Sequence, residues 1–100
     1  MEAAFDLGRV PPQNTEAEQA TLGSMLLDGD AITKAIDILS PGDFYKDAHR
    51  IIFDTIVSMY EKGEPIDLVT VTEQLRRRDA LDLVGGIPYI ASLASIVPTA

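Results

Sequence analysis

The chain has 100 residues, 46% of them hydrophobic and 24% charged, with no cysteine and a formal net charge of −8. That length and apolar share suit one folded domain with a single core, and the missing thiols exclude disulfides and thiolate metal ligands, in keeping with a reducing compartment. An acidic exterior repels phosphates on average, which argues against nucleic acid as a direct ligand; with no long apolar run and no basic-then-apolar leader, the expectation is a cytosolic protein without a membrane segment.

Residues 1–13 contain Gly8, Pro11 and Pro12 and no sustained periodicity. They read as a tail that becomes ordered near Pro12, leaving residues 14–100 as the folded unit. Thr15 and Glu18 have the spacing of a capping box, in which hydroxyl and carboxylate each satisfy a free amide, so a first helix should begin there. Ala17, Ala20, Thr21, Leu22, Met25 and Leu26 recur at helical intervals, with Gly23 among them where a neighbouring helix passes close. This helix should end near Asp28 and Gly29. Asp30 is then placed to cap a short second helix whose apolar face is Ile32, Ala35, Ile36 and Leu39.

Ser40-Pro41-Gly42-Asp43 signals a turn, with a single tight helical turn running through Asp43 and Phe44. From Asp47 to Lys62 the pattern is that of a long central helix. Asp47, Arg50, Asp54, Ser58 and Glu61 fall on one narrow polar stripe. Ile51, Ile52, Phe53, Ile56, Val57, Met59 and Tyr60 cover the remaining arc, a width that suits a helix packed by several neighbours. Gly63 supplies the left-handed position that ends it, and Pro65 prevents resumption.

Asp67 and Thr70 offer caps for a fourth helix through VTVTEQLRRR. Its β-branched Val69, Thr70, Val71 and Thr72 also suit a strand. Helix is preferred because Val71, Leu75 and Arg78 keep a helical repeat, with Glu73 in the first turn and three arginines in the last, where the macrodipole favours each sign. Residues 79–84 read as a short turn or single-turn helix with Leu81 and Leu83 pointing inward, closed by Gly85-Gly86. Pro88 suits the first turn of a last helix, whose apolar face is Tyr89, Ile90, Leu93, Ala94 and Val97 and which stops at Pro98. The expected fold is all-α, a compact orthogonal-type bundle of about five main helices plus short helical turns around the central helix.

The search for chemistry finds mostly absences. Gly85-Gly86 is followed by Ile87, Pro88 and Tyr89, so the phosphate-binding pattern GxxxxGK[ST] is missing. His49 stands near Asp43, Asp47 and Asp54, but His49 and Asp47 are two apart and face different directions on a helix, and no second histidine supports a metal centre. A hydrogen-bonded structural histidine is the plainer reading of His49. No serine or threonine has an evident base in a known motif, so no catalytic, cofactor-binding or metal-binding residue is assigned. Arg76, Arg77 and Arg78 point three ways on a helix and complement its dipole more readily than they bind phosphate. Tyr45, Tyr60 and Tyr89 are candidate interface anchors or, more plainly, core side chains with hydroxyls at the surface.

Several blocks, taken together and in order, resemble a known family. Pro11-Pro12-Gln13-Asn14, Glu16-Ala17-Glu18-Gln19 and Leu22-Gly23 come first. Asp43-Phe44-Tyr45, Ala48-His49, Ile52-Phe53 and Gly63-Glu64-Pro65-Ile66-Asp67 follow. Gly85-Gly86, Tyr89 and Val97-Pro98-Thr99-Ala100 close the series. They look like the N-terminal domain of DnaB-type bacterial replicative DNA helicases over about residues 11–100.

The resemblance implies a helical globule from a homohexameric ring that unwinds DNA at the bacterial replication fork. ATP and Mg are used in a C-terminal RecA-like domain, so the chain reads as a fragment without that domain or the helical hairpin that pairs subunits into a collar. The implied partners are sister subunits (the fragment alone being monomer or dimer), DnaG-type primase and a helicase loader or initiator protein, with little direct nucleic-acid binding. Two other readings stand beside it. One is a free-standing helical adaptor; the other, a metal-dependent hydrolase, has only His49 and Asp47 behind it.

Overall fold

The computed structural model describes residues 14–96. The expected tail over residues 1–13, Val97 of the last apolar face and the stop at Pro98 lie outside the described residues. Among those described there are five helices, a 3-10 turn and no strand, so the fold is all-helical. The helices are α1 (Thr15–Leu27), α2 (Gly29–Ile38), α3 (Asp47–Glu61), α4 (Leu68–Arg77) and α5 (Gly86–Ile96), with the 3-10 turn Pro41–Asp43 between α2 and α3.

The start of α1 departs from expectation by one residue. Asn14 is the cap position, its carbonyl accepting from the Glu18 amide at 3.2 Å, and Thr15 is already helical. The expected box between Thr15 and Glu18 gives way because the Glu18 side chain turns into the core, where it finds stronger partners. At the other end, Asp28 alone separates α1 from α2. Its extended backbone turns the corner and its Oδ1 accepts from the Asp30 amide at 2.9 Å. Asp28, not Asp30, is therefore the cap of α2, and Asp30 belongs to the first turn.

Helix α2 buries Ile32 and Ala35, with Ile36 and Leu39 packed against the core. In the following turn Asp43 Oδ2 accepts from the Ser40 amide at 2.8 Å, which fixes the approach of Phe44. The Phe44 ring lies 4.9 Å, centroid to centroid, from Phe53.

Helix α3 carries the expected interior. Ile52, Phe53 and Ile56 are fully buried and Met59 nearly so; each such side chain contributes roughly 1.5–3 kcal/mol of gross burial free energy. The apolar arc is narrower than its composition suggests, since Tyr60 is 42% exposed. Thr55 takes part of that arc instead. Its hydroxyl donates to the Ile51 carbonyl at 2.8 Å and accepts from Arg78 Nη1 at 3.0 Å, which makes burial of a polar residue tolerable. Helix α3 packs against α1, α4 and the 3-10 turn, while α1 packs against α2, α3 and α5, so the two share the centre.

Gly63 (φ 71°) ends α3, and the Glu64 amide donates back to the Met59 carbonyl at 3.0 Å. Helix α4 begins on a reciprocal box. The Thr70 amide donates to Asp67 Oδ1 and the Asp67 amide donates to Thr70 Oγ1, both at 2.9 Å. This cap explains why four β-branched residues coil as helix rather than extend: two free amides are satisfied at once, and Val71 and Leu75 reach the core. Glu73 lies beyond the first turn, contrary to expectation, and pairs with Arg76 at 2.6 Å.

Between α4 and α5 the turn is helical in character, with the Val84 amide donating to the Ala80 carbonyl at 3.1 Å. Positions four apart therefore share a side, and Ala80 and Val84 are the buried pair. Leu81 is half-buried as expected, but Leu83 is 72% exposed, correcting its inward assignment. Helix α5 buries Ile90 and Leu93.

Candidate functional site

The most developed polar arrangement lies inside the bundle. Glu18 stands four residues before Leu22 and seven before Met25, on the buried stripe of α1; His49 likewise precedes Ile52 and Ile56 on the buried stripe of α3. Both ionisable side chains are almost completely excluded from solvent, Glu18 at 2% and His49 at 0%. Burial without partners costs several kcal/mol per charge, and each has partners in the other. Glu18 Oε1 lies 2.7 Å from His49 Nδ1, and Glu18 Oε2 accepts from the Tyr45 amide at 2.7 Å, with the Lys46 amide at 3.5 Å from Oε1. A side chain from α1 thereby satisfies free amides at the entry to α3.

The other end of the imidazole meets α5. His49 Nε2 is 2.5 Å from Tyr89 Oη, and Gln19 Nε2 donates to the same hydroxyl at 3.2 Å. The Tyr89 and His49 rings lie nearly parallel, with centroids 5.9 Å apart. Tyr89 is held there partly by Gly85, whose φ of 112° only glycine adopts readily and whose missing Cβ would come within 2.8 Å of Tyr89 Cβ. With Nδ1–H donated to Glu18, Nε2 accepts from Tyr89 O–H and Gln19 donates to Tyr89 Oη. This arrangement leaves no member of the chain without a partner. No buried side-chain N or O atom among the described residues lacks one.

Although glutamate, histidine and tyrosine can move protons, Glu18 and His49 are 2% and 0% exposed, and only Tyr89 is partly open to solvent. The arrangement holds α1, α3 and α5 in register; it does not expose a base. Sequence reasoning found His49 but not its partners Glu18, Gln19 and Tyr89. The available signal was a carboxylate and an imidazole each standing on an apolar stripe, since such groups are rarely buried unpaired.

The remaining candidates disperse. Asp47 pairs with Arg50 at 3.1 Å, Asp54 with Arg78 at 3.3 Å, and Asp43 holds the Ser40 amide, so the three carboxylates near His49 in sequence face elsewhere. Among the described residues no group of three or more histidine, aspartate or glutamate side chains is disposed to hold a metal ion. The three arginines diverge: Arg76 binds Glu73, Arg77 reaches the same carboxylate only at 4.0 Å, and Arg78 bridges to α3 through Asp54 and Thr55. Gly85 and Gly86 serve chain reversal into α5. Of the tyrosines, Tyr89 belongs to the buried chain, Tyr60 meets Thr33 Oγ1 at 3.5 Å, and Tyr45 is 56% exposed. Leu27, Ile38, Val69, Leu83 and Ile87 are exposed apolar side chains, and α5 carries no charged residue.

Fold and interior together define a small all-helical domain whose polar core serves architecture. Comparison with known proteins is specific about which one. A family model described as the DnaB-like helicase N terminal domain matches residues 10–100, and the chain belongs to that family. It is 50% identical over 95 residues to the replicative DNA helicase DnaB of Mycobacterium leprae, covering 95% of this chain and 16% of that protein. It is 49% identical over 92 residues to the replicative DNA helicase DnaC of Bacillus subtilis, covering 92% of this chain and 20% of that one. The crystal structure of the N-terminal domain of DnaB helicase from Mycobacterium tuberculosis superposes with a TM-score of 0.84 at 50% identity, over 90% of this chain and 62% of that one. The chain thus spans about a sixth to a fifth of the curated relatives' length. No helix among the described residues is long and apolar enough to cross a membrane.

Proposed function

We propose that this domain is the assembly and partner-docking module of a bacterial replicative DNA helicase, contributing to the collar of a homohexameric ring and receiving DnaG-type primase, with a loader or initiator protein as a further partner. Residues 14–100 form the docking globule on this reading, and residues 1–13 are a tail. ATP and Mg belong to a RecA-like domain of the longer protein, and the work is done at the replication fork in the bacterial cytoplasm. The observation that carries the reading is family membership at about half identity over nearly the whole chain. The net charge of −8 supports it, since an acidic surface attracts basic protein surfaces and repels phosphates.

The test is a pull-down of primase by this 100-residue chain and by a version extended through the helical hairpin. Capture should be weak with the first and clear with the second. Absence of capture by both overturns the docking role, and tight ATP binding by the 100-residue chain counts against it as well.

A further inference from the structure

The polar chain through the bundle runs from a closed end to an open one. Glu18 and His49 are buried, whereas Tyr89 and Gln19 are half-buried at the seam between α1 and α5. Gln19 Nε2 meets Tyr89 Oη at 3.2 Å. Its Oε1 has no hydrogen bond among the described residues, and since no buried side-chain oxygen there lacks one, Oε1 reaches solvent. Among the described residues two titratable groups face the imidazole, Glu18 from α1 and Tyr89 from α5, a helix with no charged residue. The charges of the other elements around it are turned elsewhere. Asp43 of the 3-10 turn holds the Ser40 amide, Asp47 and Arg50 pair with each other on α3, and Arg78 at the end of α4 binds Asp54. Glu16 is exposed, and Lys46 offers Glu18 its backbone amide while its side chain stays outside.

Nδ1 faces a carboxylate, which only accepts while ionised, so Nδ1 keeps its hydrogen in either charge state of the ring. A proton taken from solvent therefore goes to Nε2, whose partner is a hydroxyl able both to donate and to accept. With Nε2 bare, the Tyr89 O–H donates inward and the Gln19 amino group donates to Oη. With Nε2 protonated, Oη accepts from it and the Tyr89 hydrogen must point outward. The Gln19 amide answers by exchanging ends, Oε1 turning to Tyr89 and the amino group to solvent. No bond in the chain is lost. We infer that Tyr89 and Gln19 form a proton-responsive relay, which carries the charge state of buried His49 to the α1–α5 seam by reversing the direction of the hydrogen-bond chain. The seam presents a carbonyl acceptor in one state and amide donors in the other, with no shift of the helices.

The test is a titration of the 15N-labelled 100-residue chain between about pH 8 and pH 5, the interval in which histidine can change charge. Its readouts are the His49 ring nitrogens, the Tyr89 ring and the Gln19 side-chain amino group, with the side-chain amide of Gln74 on α4 as reference. Nε2 should pass from bare to protonated while Nδ1 stays protonated, Gln19 and Tyr89 should shift with the same midpoint, and Gln74 should stay still. Tyr89→Phe keeps the ring and removes the relay, so the Gln19 response should be lost. The parent titration needs no variant, so the inference can fail on it alone. A Gln19 amide that holds still while Nε2 titrates, an equal response by Gln74, a Gln19 response that survives Tyr89→Phe, a His49 ring of fixed charge over the interval, or collapse of the amide spectrum as Nε2 is protonated overturns the inference.

Discussion

Replacing Glu18 by alanine removes an acceptor on which three donors converge. The Tyr45 amide and the His49 Nδ1–H each lose a bond of 2.7 Å, and the Lys46 amide loses a longer one of 3.5 Å. His49 is fully buried, so water cannot take over its contact without opening the bundle. Leaving a buried donor without its acceptor costs about 1–3 kcal/mol, and with two short bonds lost the total should be about 2–6 kcal/mol. At a urea slope of about 1.5 kcal/mol per molar, a loss of about 4 kcal/mol lowers the unfolding midpoint by roughly 2.5 M.

Glu18→Gln separates this effect from loss of bulk. The amide keeps one acceptor oxygen for the Tyr45 N–H, and its NH2 can face Nδ1 once the imidazole adopts the other tautomer. The cost should fall to about 1–2 kcal/mol. Urea denaturation followed by circular dichroism measures both variants, and amide exchange at Tyr45 and Lys46 reports whether the entry to α3 has loosened. An alanine variant within about 1 kcal/mol of the parent, with those two amides still protected, refutes the assignment of Glu18 as the buried acceptor.

Three further outcomes are expected. Phe53→Ala empties a fully buried site against Phe44 and should cost about 3–5 kcal/mol in the same denaturation assay, leaving a small domain barely folded. Asp67→Ala removes half of a reciprocal cap and should cost only about 1 kcal/mol, so a reversed ranking of these two would contradict the placement of the interior. Gly85→Ala forces a side chain into a left-handed backbone and against Tyr89, and should lower stability by about 1–3 kcal/mol, with the Tyr89 ring resonances shifting as the ring moves off His49.

The core of α3 was legible because its apolar residues recur at helical spacing over four turns, a pattern that no other element competes to explain. The connector was equally plain, since Gly63, Pro65 and the Asp67–Thr70 pair act within a few residues of each other. What escaped was long-range or balanced within a single turn. The caps at Asn14 and Asp28 replaced the expected Thr15 and Asp30 because neighbouring polar residues compete for the same amides and local pattern does not rank them. The spacing of Glu18 from Thr15 fits a capping box, yet partners 27 to 31 residues away outbid that local bond. Leu83 was expected inward beside Leu81, whereas the turn that forms puts residues four apart together and gives the buried side to Ala80 and Val84.

The backbone leading into α3 is held, through the Tyr45 amide, by a residue 27 positions earlier in the chain. The longest helix is therefore not an autonomous folding unit: until α1 docks, its opening turn should fray, and with it the loop that presents Tyr45. Secondary and tertiary order at that end should appear and vanish together, which ties the shape of one exposed surface to the cooperativity of the whole bundle.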